Sequence, residues 1–321
     1  MEMNFTVNPY YLASLALAVH GDFMPKDWVA FRDEVLLSQY GDEWDIVKKN
    51  CYDKHYSSYF NSLLEIHDEK ELSMEGIGAA APLFKSIFES KEFRKLYYET
   101  VKYKDLVEAE WRQNQPIIKD SVEQIIGYKL SDKNIEVSIV HPLFHAGFSR
   151  DAMSSRSNKD YIVWGHLYGT DKENYPNYNS IYLTHEMLHI EIDYNKGYVQ
   201  THCHSLIELL ADNEIRLRLN GEGKYFDEKW QGHPKLQRYE ELIYPYWILF
   251  INRQNPDFKK QVENTFQRDG YNHDIEYFLE SFERHNIKDM NIIDFEYFLG
   301  PAKEKKEEIG REKNDDIILR K

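Results

Sequence analysis

The chain is poor in cysteine. It has two in 321 residues, Cys51 and Cys203, far apart in sequence. That excludes a disulfide framework and a Cys-x-x-Cys metal site, and makes a reducing compartment the simplest expectation. Long apolar runs are missing too. No stretch approaches the roughly 18 uninterrupted apolar residues that a membrane-spanning helix needs, so no membrane partner is expected. The start, Met1-Glu2-Met3-Asn4-Phe5, has no basic region. The apolar run at 11–19 is short and no small-residue cleavage site follows it, so a cytoplasmic location is expected. Positive charge is also scarce: 40 Lys and Arg face 55 Asp and Glu, a formal net charge of -15. Such a surface repels phosphate backbones and anionic lipid, and no nucleic-acid partner is expected.

What is present argues for a folded core. Hydrophobic residues make up 42% of the chain, and 24 Tyr and 17 Phe are incompatible with a disordered composition. Residues 8–20 read as a helix opened by Asn8-Pro9 and ended by Gly21. From Pro25 to about residue 126, apolar residues recur at three and four. Examples are Tyr56, Tyr59, Phe60, Leu63 and Leu64, or Phe84, Ile87, Phe88 and Phe93. The glycines at 76 and 78 mark a turn before a helix, since no strand precedes them and no third glycine follows in place. Near residue 133 the pattern changes. Residues 134–140 and 161–168 read as strands, with 151–159 as a surface loop. Helical text resumes at 180–192 and at 205–219, the latter closed by Asn220-Gly221-Glu222-Gly223, and runs on to about 299. Residues 301–321 read as a charged, solvated tail. The expected class is α+β, mostly α. The expected divisions are a helical region at 1–130, a core at 131–222, a helical region at 223–300 and the tail.

The chemistry-bearing stretch is Thr184-His185-Glu186-Met187-Leu188-His189. On a helix, positions i and i+4 share a face, so His185 and His189 aim two imidazoles at one point. Glu186 stands beside that point, where a carboxylate can take a proton from a metal-bound water. Asn179 or Ser180 is expected as the N-cap and Gly197 as the stop, while Ile181, Leu188 and Ile192 form an apolar stripe that buries the helix.

A catalytic zinc usually takes three protein ligands and one water. On the next helix, Glu208 and Asp212 lie one turn apart inside an apolar run, where a carboxylate is costly without a compensating cation or donor. A metal ion would compensate Glu208, and an imidazole N–H would compensate Asp212. His204 shares their face, with His202 and Cys203 just before it. These three are alternative ligands, though helix-start capping or packing is their commoner use. His141, His145 and His166 flank the strands.

This spacing resembles the gluzincin metallopeptidases, the thermolysin-like group, whose pattern is His-Glu-x-x-His followed about twenty residues later by Glu-x-x-x-Asp. The resemblance covers about thirty residues. It implies a zincin-like core with a small sheet and an active-site helix pair. It implies one Zn2+ per chain on His185, His189 and Glu208, Glu186 as general base, and Asp212 behind a histidine ligand. It further implies a zinc metallopeptidase acting on a peptide or protein substrate. The oxyanion partner stays open among Tyr239, Tyr244, Tyr246, Tyr271 and His273. The strand at 161–168 is expected at the sheet edge, available to an extended peptide. Two alternatives share the motif: a catalytically inactive zincin-like binding protein, and a zinc hydrolase of a small amide.

Overall fold

The computed structural model describes residues 2–18, 24–52, 60–150, 158–192, 200–230, 232–252, 255, 274–276 and 278–279. Gly197, Tyr271, His273 and the charged tail lie outside them. The fold is α+β and mostly helical, with one small mixed sheet. No helix among the described residues is long and apolar enough to cross a membrane.

The helices are α1 (Pro9–Ala18), α2 (Lys26–Phe31), α3 (Leu37–Gln39), α4 (Gly41–Cys51), α5 (Glu69–Met74), α6 (Ala81–Glu89), α7 (Lys91–Ile126), α8 (Tyr178–Glu191), α9 (Gln200–Glu208), α10 (Arg216–Asn220) and α11 (Gln237–Ile251). The strands are β1 (Glu2–Thr6), β2 (Asn134–Ile139), β3 (Ala146–Arg150) and β4 (Asp160–Gly165). Contacts divide the chain into two compact units. One is Met1–Trp111 with Asp132–Tyr178; the other is Arg112–Ser131 with Asn179–Lys321. The stretch at 131–222 is thus shared between both units.

The first unit holds the sheet, in the order β1-β2-β4-β3, with β1, β2 and β4 parallel and β3 antiparallel to β4. Strand β1 alternates, with Met3 and Phe5 buried and its other three residues exposed. Strand β4 is buried throughout, as a strand covered on both faces should be. It pairs with β2 on one side and β3 on the other, so the expectation that it forms the sheet edge is corrected: the edges are β1 and β3. Its continuous apolar run is a central-strand signature rather than an edge one. Helix α1 begins at the expected Asn8-Pro9. Asn8 Oδ1 accepts the Tyr11 N–H at 2.9 Å, while Asn8 Nδ2 donates to the carbonyls of Leu63, Leu64 and Ile66. Around α1 packs an aromatic core. Tyr10 sits edge-on to Phe84 at 5.1 Å, and Trp28 lies 6.0 Å from Phe93.

The second unit is helical. Helix α8 starts earlier than expected: Tyr178 is its first residue and Asn177, at φ 58, precedes it. Asn179 and Ser180 lie in its first turn instead, fully buried, and Ser180 Oγ accepts from Asn114 Nδ2 at 3.1 Å. Ile181, Leu183, Met187, Leu188, Ile190 and Ile192 are all buried, so α8 is enclosed on several faces rather than along one stripe. The next helix begins at Gln200, five residues earlier than its periodicity suggests. It widens into a π-helical segment, Leu209–Ile215, before α10. Gly221 closes α10 at φ 69, where its N–H reaches the Leu217 carbonyl.

Candidate metal centre

Five ionisable side chains on α8, α9 and the π-helical segment that follows α9 converge inside the second unit, joined by one from a loop. His185, Glu208 and Asp212 are each at most 3% exposed. On α8, the one-turn spacing brings the Nε2 atoms of His185 and His189 to 3.1 Å. Two nitrogens that each lie about 2.0–2.1 Å from a tetrahedral zinc are roughly 3.3–3.4 Å apart. The pair is therefore close to the bite of a chelate. The other ring nitrogen of His185, Nδ1, lies 3.2 Å from Asp212 Oδ1. That contact sets Nδ1 against the acid and turns Nε2 toward His189.

From α9, His204 packs edge-on to both rings, at 4.5 Å from His189 and 5.2 Å from His185. Its Nε2 is 3.5 Å from Glu208 Oε1 but has no hydrogen-bond partner among the described residues. Asp212 Oδ2 likewise has none. Glu208 is held from the loop before α11, where its Oε1 accepts from the His233 backbone N–H at 2.9 Å and meets His233 Nδ1 at 2.5 Å. The ring of His233 lies 4.4 Å from that of His204. One nitrogen each from His185, His204 and His233 falls within 4.8 Å of the others, a set able to hold a metal ion.

Gly232 explains how the loop comes so close. A Cβ there would stand 2.6 Å from Asp212 Oδ2 and 2.8 Å from Glu208 Oε2. Only a residue without a side chain lets the backbone lie on two carboxylates. Behind Glu208, buried Glu240 of α11 shares a side-chain hydrogen bond with it.

Burial drives His185, His189, His204, Glu208, Asp212 and Glu240 toward their neutral forms. It pushes His185 down to about 3, with the neighbouring His233 adding to the effect, and takes His189 and His204 well below the usual imidazole range. It raises Glu208 to about 8 and Glu240 to about 10, and lifts Asp212 well above an ordinary carboxylate. A divalent cation reverses this for the acids and suits the neutral imidazoles. The donors are nitrogen and oxygen, which fits a borderline ion such as zinc.

The expected residues that fall among the described ones have definite places. His185, His189, Glu208 and Asp212 belong to the cluster, with Glu208 reaching it through His233 and His204. Glu186 is half-buried on α8. Tyr239 is buried, whereas Tyr244 and Tyr246 are half-buried on α11. His233 was not singled out beforehand. Its only signal is the Gly232-His233-Pro234 triplet, a glycine that permits close approach beside a potential ligand. No protein-family model, curated protein or solved structure matches the chain.

Proposed function

We propose that the chain is a zinc-dependent hydrolase of amide bonds, with a peptide as its substrate. The observation that carries the reading is the convergence of two Nε2 atoms at 3.1 Å, one on half-buried His189 and one on buried His185, whose other nitrogen faces a buried aspartate. In this reading His185 and His189 hold the ion together with Glu208, and Asp212 orients His185. A bound zinc would supply a water of near-neutral pKa and polarise the scissile carbonyl. Glu186, next to His185 on α8, takes the proton of the attacking water and passes it to the leaving amine. The dry surroundings strengthen each charge interaction.

One observation favours a second ligand set. His204 Nε2 is buried without a hydrogen-bond partner among the described residues, while Glu208 Oε1 is already engaged by His233. Here His204 replaces Glu208 on the ion, and Glu208 fastens the loop instead. Metal analysis of His204→Ala and Glu208→Gln separates the two: the variant that loses the ion carries the ligand. The function itself is tested by peptide cleavage. Wild type is expected to cleave and Glu186→Gln is expected not to, with its metal retained.

A further inference from the structure

Beside the imidazoles lies a cavity whose chemistry is the opposite of theirs. It is lined by Glu208, Asp212, Asp227, His233 and Glu240, with Trp230 forming an apolar wall. Its volume is about 20 Å³, room for one water-sized group. Asp212, 2% exposed, lines it with an oxygen that has no hydrogen-bond partner among the described residues. The nearby cation Arg216 is committed elsewhere. It donates to the Asp212 and Lys224 carbonyls, approaches Asp227 only to 4.0 Å, and lies over the Trp230 ring. Four carboxyl groups therefore surround a space the size of a single ammonium, and Glu208 and Glu240 share a side-chain hydrogen bond.

We propose that this cavity binds the free α-ammonium group of the substrate, which makes the hydrolase an aminopeptidase. The inference rests on the hydrolase reading and names its substrate class. One feature selects an α-amine over a lysine side chain. The cavity shares Glu208 and His233 with the imidazole cluster. An α-nitrogen is only about 2.5 Å from its own carbonyl carbon, so an amine seated here keeps the first peptide bond beside His204 and His185. One N–H of the ammonium would satisfy Asp212 Oδ2, which has no hydrogen-bond partner among the described residues, and the other two would face Glu240 and Asp227.

Equilibrium binding tests this without relying on turnover. Calorimetry compares L-leucinamide, N-acetyl-L-leucinamide and Nα-acetyl-L-lysinamide on wild type, Glu240→Gln and Asp227→Asn. The expected result is a preference for leucinamide on the order of tenfold or more over both acetylated probes. That preference should be lost in Glu240→Gln and reduced in Asp227→Asn. Equal affinity for leucinamide and its acetyl derivative, or no binding of either, overturns the proposal. So does tighter binding of the lysinamide, or a preference untouched by both substitutions. Asp227 is half-exposed, so its variant reports even if Glu240→Gln fails to fold. Peptide cleavage is scored separately. A leucinamide preference without any cleavage leaves the amine site standing and removes the hydrolase reading.

Discussion

Both units gather histidines, and they treat them in opposite ways. In the first unit three imidazoles among the described residues, those of His141, His145 and His166, have conventional partners. His141 is buried, but its Nδ1 accepts the Leu143 N–H and its Nε2 meets Glu99 at 3.3 Å. His145 is exposed, and its Nδ1 lies 3.2 Å from His166 Nε2, whose own Nδ1 meets the Tyr178 hydroxyl. The Tyr103 hydroxyl holds both the N–H and the carbonyl of His166. In the second unit, His185, His189 and His204 face one another in a dry interior beside carboxylates that burial keeps protonated. The difference teaches that histidine density alone marks nothing. What marks a site is burial that the protein's own groups leave uncompensated, because only a ligand can then supply the missing charge.

The sharpest way to break the comparison is Glu186→Gln. Removing a general base costs roughly 10²–10⁴-fold in turnover, and steady-state kinetics on a peptide should show that loss with the metal content unchanged. Next is Asp212→Asn, which removes the carboxylate facing His185 Nδ1. Loss of such an outer partner costs on the order of 10–100-fold in metal affinity, to be read by competition with a chelator. Gly232→Ala should fall in the same range, since its new methyl group would displace the Glu208 and Asp212 carboxylates.

A pH series sharpens the contrast. The lowered imidazole values mean that the metal-free fold is favoured above the unfolded His pKa of about 6.5 and loses stability as pH falls below it. Glu208 and Glu240 are raised, so their contribution has the opposite sign. It is present at low pH and fades as pH rises through about 8 and about 10. Metal binding needs neutral imidazoles and ionised acids. The increase in melting temperature on adding zinc should therefore grow from pH 6 to pH 8, measured by calorimetry. A zinc effect that shrinks over that range contradicts the cluster's assignment. The smallest effect on the metal belongs to the other unit: His145→Ala should leave metal content unchanged, since its ring meets His166 rather than the cluster.

Much of this was legible in the sequence because it is local. The i and i+4 placement of His185 and His189 follows from helical geometry. The mostly helical class follows from apolar residues recurring at three and four. The misses have nonlocal causes. Strand β1 is only five residues with two buried side chains, too short a pattern to stand out without its partner β2. The central place of β4 depends on β3, whose residues alternate weakly. The π-helical segment after Glu208 leaves no periodic trace. His233 sits in a loop 25 positions beyond Glu208, where neither helical nor strand periodicity carries information, and only the fold brings it to the carboxylate.

Metal analysis of the purified chain tests the central claim most directly. About one tightly held zinc per chain, lost in His189→Ala, is the result expected. A wild-type chain that carries no metal, and whose melting temperature does not move when zinc is added, would contradict it.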